Sequence, residues 1–201
     1  MGVCTVDERL LSCDTLVFDI GGVLLRWDPE FFAPVFFPGE RGGKLFRAAF
    51  DKKDWNWGRF DLGRESNEDI ALDIARIAGV PGGEEDILNF VHHFHEYMEP
   101  LPLTRELEEL KRMGKRMYLL TNYPQPSFSL ARKRFAFFSL FDGYVCSAEE
   151  KLVKPDPEIF RLLCRRFSIV PEESLFIDDN QPNTDSAGSL GFRTWHYKSN
   201  T

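Results

Sequence analysis

Residues 16–23 read Leu-Val-Phe-Asp-Ile-Gly-Gly-Val. Leu16, Val17 and Phe18 make a short apolar run of the kind that forms a strand buried on both faces. Asp19 stands at its end, and Gly21 and Gly22 follow at once, so the chain turns sharply with bare backbone beside a carboxylate. A carboxylate leaving a buried strand is costly unless it is paired, hydrogen-bonded or bound to a cation. By itself Asp19 could equally be an ordinary turn residue before glycines.

Working outward, four more segments read as strands. With Thr15–Ile20 they are 116–121, 143–147, 174–178 and 192–197. From the second onward they alternate with helical patterns at 105–113, 127–137, 157–167 and 184–190. Strands alternating with helices predict an α/β fold with a parallel, Rossmann-like sheet.

The stretch from Pro29 to Glu99 breaks this rhythm and holds no convincing strand. Asp28-Pro29-Glu30 reads as a helix start with Asp28 as N-cap and Pro29 in the first turn. Residues 67–77 and 84–97 have helical periodicity, separated by Gly79 and Pro81-Gly82-Gly83, and Pro100 and Pro102 mark the return. The expected organisation is a Rossmann-like core from residues 1–26 and 101–201, with an inserted all-helical cap at 27–100.

Composition bounds the partners. The 201 residues are 43% apolar and include 19 phenylalanines, enough for a sizeable core. A net charge of −7 argues against a nucleic-acid binder, and the basic clusters at 111–116 and 132–134 read as solvated helix faces. Cys4, Cys13, Cys146 and Cys164 show no CxxC pair and no zinc spacing, as expected for reduced thiols in a cytoplasmic protein. No stretch reaches transmembrane length, no signal peptide is apparent, and Val6 breaks the myristoylation pattern that Gly2 would begin.

Ligands of open parallel sheets bind beyond the carboxyl ends of the strands. Four segments place polar residues there: Asp19; Thr121-Asn122; Lys154-Pro155-Asp156-Pro157; and Asp178-Asp179-Asn180. Each has a plain alternative, since Asp156 and Asp178-Asp179 are good helix caps and Thr121-Asn122 is an acceptable turn. Together they put three carboxylates, a hydroxyl and a lysine at one end of one sheet. Clustered acids repel unless a cation lies among them, and a site of few oxygen donors suits Mg²⁺ shared with a phosphate. An ammonium and a hydroxyl would hold the remaining phosphate oxygens.

This set resembles the haloacid dehalogenase superfamily, mostly Mg²⁺-dependent phosphatases. The motifs are Phe18-Asp19-Ile20-Gly21-Gly22-Val23, Leu120-Thr121-Asn122, Lys154-Pro155-Asp156-Pro157-Glu158-Ile159-Phe160, and Phe176-Ile177-Asp178-Asp179-Asn180 with Asn183, in order along nearly the whole chain. The helical insertion is similar to that of the phosphoglycolate phosphatase-like branch. The Asp-x-Gly-Gly-Val form, with Trp57, Gly63 and Glu68–Ile70, looks most like the α-D-glucose-1-phosphate phosphatase group. The resemblance implies that Asp19 is the nucleophile and forms an aspartyl-phosphate, that Thr121, Asn122 and Lys154 bind phosphate, and that Lys154 also orients Asp19. It implies Mg²⁺ held by Asp19, the Gly21 carbonyl and Asp179, with Asp178 a ligand or its support, and Asn183 in the place of the amide or acid that follows them.

One departure matters. Most phosphatases of this superfamily carry an aspartate two residues after the nucleophile, as general acid and base; here that position is Gly21. Dehalogenases usually have an aromatic residue there. Lys151 is a second departure, where relatives often have glycine; it is expected to face solvent. Substitutes for the missing acid are Asp28 and the cap residues His92, His93 and His95, each with a structural role of its own. Trp55 and Trp57 are expected to pack the cap core, with a wall against a sugar ring as the other reading.

The expected function is a Mg²⁺-dependent phosphatase acting on a small phosphomonoester, with a sugar phosphate among the candidates, as a monomer or homodimer. The alternatives are hydrolytic dehalogenation on the same scaffold and a non-catalytic regulator that binds phosphate or a partner.

Overall fold

The computed structural model describes residues 6–198 apart from 52 and 54; Gly2 and Cys4 lie outside the described residues. Five strands, β1 (Thr15–Phe18), β2 (Arg116–Thr121), β3 (Gly143–Cys146), β4 (Ser174–Asp178) and β5 (Arg193–His196), form one all-parallel sheet in the order β3-β2-β1-β4-β5. The apolar runs are continuous because both faces are covered. Leu16, Phe18, Met117, Leu119, Leu175 and Ile177 enter one apolar cluster, and the alternate residues Val17, Tyr118, Leu120 and Phe176 enter another. The sheet grows from β1 in both directions, which makes the carboxyl ends of β1, β2 and β4 the natural ligand crevice.

The helices are α1 (Glu8–Leu11), α2 (Pro29–Phe36), α3 (Gly39–Phe50), α4 (Asn56–Leu62), α5 (Asn67–Ile77), α6 (Glu84–His93), α7 (Leu107–Arg112), α8 (Ser127–Arg134), α9 (Ser147–Glu150), α10 (Pro157–Phe167) and α11 (Gln181–Ser189). The fold is α/β and Rossmann-like, as the sequence predicts. β2, β4, α5 and α10 have the expected limits. α11 starts three residues before the expected Thr184, because Pro182 fits a first helical turn. The patterns at 105–113, 127–137 and 84–97 each divide into an α-helix and a 3₁₀ segment, at 102–106, 136–140 and 94–96.

Between β1 and β2 lie helices α2 to α6. Where the chain leaves and returns, Arg26 N donates to Glu99 O at 2.8 Å and Leu101 N to Leu24 O at 2.9 Å. The insertion's interior is aromatic. Phe90 packs on Trp27, Phe32, Phe36, Phe37, Phe50, Trp57 and Phe94 with centroid separations of 5.1–6.5 Å. Helices α3 and α4 escape sequence reading because glycines interrupt their patterns. Gly42 and Gly58 are there for close approach: a Cβ would lie 2.2 Å from the Phe37 carbonyl carbon and 2.0 Å from Trp55 Cε2.

Candidate active site

The turn after β1 is built by its backbone. Asp19 N donates to Ile177 O at 2.9 Å, Leu24 N to Ile20 O at 2.9 Å and Gly22 N to Leu25 O at 2.8 Å. Gly22 has φ +72°, and a Cβ there would sit 2.2 Å from Asp179 Oδ2. Glycine thus permits both the left-handed turn and the approach of the β4 loop. Asp19 is 8% exposed at the mouth of this turn.

Lys154 is buried and bridges two acids, with Nζ 2.8 Å from Asp19 Oδ1 and 2.6 Å from Asp178 Oδ2. Asn122 fixes the lysine's main chain: its Oδ1 accepts from Lys154 N at 2.8 Å and its Nδ2 donates to Lys154 O at 3.0 Å. The Asn122 side chain thereby orients Lys154. Asp178 also accepts from Asn180 N at 2.8 Å and from Asn183 Nδ2 at 3.0 and 3.1 Å. Both its oxygens are occupied, which makes Asp178 an anchor for the lysine and for Asn183.

Among the described residues, Asp19, Asp178 and Asp179 each offer a carboxylate oxygen within 4.8 Å of the others, and no other group of acids, histidines and cysteines does so. Burial pushes the Asp19 carboxyl up to about 7; Lys154 opposes this, while Asp178 and Asp179 add to it. Asp179 is pushed up to about 6 by burial and by Asp178. Burial works against the Lys154 ammonium, but Asp178 and Asp19 outweigh it and raise its pKa. Three acids against one internal cation leave a surplus of negative charge that a divalent cation would offset. The donor set is all oxygen, as Mg²⁺ prefers.

Two buried oxygens here have no hydrogen-bond partner. One is Thr121 Oγ1, at the end of β2 and fully buried. The other is Asp61 Oδ1, on α4. Orphaned buried polar atoms are costly and rare, and of the two Asp61 faces a cavity where a ligand could meet it. Asp61 lines the same cavity as Asp19, Gly21, Lys154 and Asp179, a space of about 210 Å³. Trp27, Trp57, Phe94, Met98 and Tyr123 form its apolar wall.

Other expectations divide. Asp156 caps α10 through Glu158 N at 2.9 Å. Asp28 caps α2 through Phe31 N at 3.3 Å and pairs with Arg26 at 3.1 Å. His92, His93 and His95 do not line the cavity; His93 lies 2.8 Å from Glu96, and His95 is buried. Trp57 both packs the insertion and lines the cavity, whereas Trp55 is 48% exposed and covers Gly58. Lys151 is exposed, as expected, and its Nζ also reaches the carbonyls of Gly63 and Ala148 and so ties α4 to α9. Asp61 and Trp27 went unremarked in the sequence. The available signal for Asp61 was an acid in the last turn of a helix ended by Gly63, where the macrodipole disfavours negative charge.

Comparison with known proteins follows the same lines. The chain is 29% identical over 181 residues to the sesquiterpene phosphatase astK of Aspergillus oryzae, covering 90% of this chain and 87% of that protein. It is 26% identical to a phosphorylated carbohydrates phosphatase of Thermotoga maritima, over 89% of this chain and 82% of the other. A magnesium complex of a HAD family enzyme from Bacteroides thetaiotaomicron shares the fold with a TM-score of 0.71 at 25% identity, over 94% of this chain and 96% of that one. The haloacid dehalogenase-like hydrolase family model matches residues 13–191. The strand-end acids, the lysine that joins them and this match along most of the chain agree, and the protein belongs to the haloacid dehalogenase-like hydrolases.

Proposed function

We propose that this hydrolase is a Mg²⁺-dependent phosphomonoesterase that works through an aspartyl-phosphate on Asp19. The observation that carries the reading is Lys154 Nζ at 2.8 Å from Asp19 Oδ1, within the group of carboxylates formed by Asp19, Asp178 and Asp179. The phosphatase relatives and the magnesium complex of the Bacteroides enzyme support it.

In this reading Asp19, the Gly21 carbonyl and Asp179 hold the cation, while Asp178 anchors Lys154 and Asn183 around them. Bound Mg²⁺ would polarise the phosphoryl group and offset the charge of the transition state. Thr121 donates its hydroxyl proton to one phosphoryl oxygen, and the Lys154 ammonium faces another. An Asp19 oxygen forms the new bond to phosphorus as the ester P–O bond breaks. Water then attacks phosphorus, releasing inorganic phosphate and restoring the Asp19 carboxylate.

The helical insertion at 27–100 acts as the cap and supplies the leaving-group pocket. Trp27, Trp57, Phe94 and Met98 suit a leaving group with an apolar face, and a sugar ring, an aryl group and an isoprenoid chain share that property. A phosphate-release screen across these three ester classes, with Mg²⁺ and with chelator, tests the reading. Release that requires Mg²⁺ and disappears in Asp19→Asn is expected. Halide release from 2-haloacids without phosphate release would replace it with dehalogenation.

A further inference from the structure

The proton that the leaving group needs has no donor at Gly21. We infer that Asp61, reaching into the cavity from the helical insertion, is the general acid and base of this enzyme. The inference rests on the phosphatase reading.

Four observations lead to it. Asp61 lines the cavity that holds Asp19, and its Oδ1 is buried without a partner. Its carboxyl is pushed up to about 7 by burial and by the Asp19 charge, so a proton is held near neutral pH. Trp27 crowds the space beside residue 21: a Cβ on Gly21 would lie 3.2 Å from Trp27 Cβ. Finally, the backbone around Asp61 is fastened to α9 and, through Ser147, to the turn after β2. Ser147 Oγ donates to Asp61 O at 2.6 Å and accepts from Tyr123 N at 3.0 Å. Lys151 Nζ donates to Gly63 O, Arg64 Nη2 donates to Lys151 O at 3.0 Å, and Gly63 packs on Ala148 so closely that a Cβ would meet its carbonyl at 2.6 Å. A loosely held acid would be poorly placed for proton transfer; this one is held by three hydrogen bonds and the packing of Gly63 on Ala148.

The chemistry balances. As the P–O bond breaks, the leaving oxygen takes the Asp61 proton and departs as an alcohol, leaving Asp61 ionised and Asp19 phosphorylated. The attacking water gives a proton to Asp61, its oxygen bonds to phosphorus, and the phosphorus–Asp19 bond breaks. Asp61 ends protonated, as it began.

The test compares wild type, Asp61→Asn, Asp61→Glu and Asp19→Asn on an alkyl phosphate and on p-nitrophenyl phosphate, with thermal melts to show that each variant folds. Asp61→Asn is expected to lose about 10²–10⁴-fold in kcat/KM on the alkyl ester and under about tenfold on the aryl ester, whose leaving group needs no proton. It should also show a burst of nitrophenolate, because the water step lacks its base. Asp61→Glu should recover part of the alkyl activity. If Asp61→Asn loses equally on both esters, or on neither, and shows no burst, the inference falls while the phosphatase reading stands. If wild type releases phosphate from neither ester, or Asp19→Asn remains active, the phosphatase reading falls and the Asp61 assignment falls with it.

Discussion

Trp27 packs tightly against residue 21, with 3.2 Å between its Cβ and a Cβ built on Gly21. The indole also packs on Phe32, Trp57 and Phe94 at 5.2–5.8 Å, so it has little freedom to retreat. The usual acid position and the apolar wall of the pocket therefore compete for one space. In this chain the wall has it. Gly21→Asp is expected to destabilise by about 1–3 kcal/mol through overpacking and to leave alkyl-phosphate turnover no faster than wild type. Urea unfolding and steady-state kinetics check the two halves; a stable and faster variant would show that Trp27 yields.

Lys154 neutralises Asp19 and Asp178 in a place that water hardly reaches. Lys154→Met would leave both buried carboxylates without their cation, Asp178 keeping only its bonds from Asn180 and Asn183. A loss of about 3–5 kcal/mol is expected in metal-free protein, since broken buried pairs cost that much. Adding Asp178→Asn should restore part of the loss without restoring activity. An unfolding midpoint unmoved by Lys154→Met would contradict the tight bridge.

The buried acids also set how stability responds to pH. Asp61 is pushed up to about 7, above its unfolded value of about 4. Between those values the folded chain binds the extra proton, so this group's contribution weakens as pH rises through the window. Removing its charge should therefore help most at high pH. Asp61→Asn is expected to raise the melting temperature at about pH 8 more than at about pH 5, by an amount on the order of 1–3 kcal/mol in stability. A larger gain at the lower pH would contradict the assignment.

Lys151 and Gly63 link α4, which carries Asp61, to α9. Lys151 is exposed, so Lys151→Met should cost less than about 1 kcal/mol in stability. Alkyl-phosphate kcat/KM should nevertheless fall several-fold, with aryl phosphate little changed, because the tether holds the proton donor in place. Equal effects on both esters would mean that the tether serves the cap as a whole.

Much of this was legible from local chemistry. The continuous apolar runs within 116–121 and 174–178 mark their strands because both faces of the sheet are buried. Asp19, Asp178 and Asp179 stood out as acids at strand ends and Lys154 as a cation downstream of a third strand, and these four converge. What resisted reading lay in the insertion. Helices α3 and α4 carry Gly42 and Gly58 at tight contacts that only a folded neighbour explains. Asp61 depends on how α4 docks on α9, a contact between residues distant in sequence. Lys151 faces solvent as its sequence suggests, and only the folded chain shows that its ammonium also reaches Gly63. His92, His93 and His95 attracted attention by residue type, yet none of them lines the cavity.

The central claim is the covalent intermediate on Asp19. Wild-type enzyme and Asp19→Asn, mixed with p-nitrophenyl phosphate and Mg²⁺ and quenched in acid during turnover, can be digested and analysed by mass spectrometry. A phosphoryl group on the peptide that contains Asp19, absent from the Asp19→Asn sample, is the predicted result. Wild-type turnover with no phosphorylated peptide, or with the phosphoryl group on another residue, would contradict it.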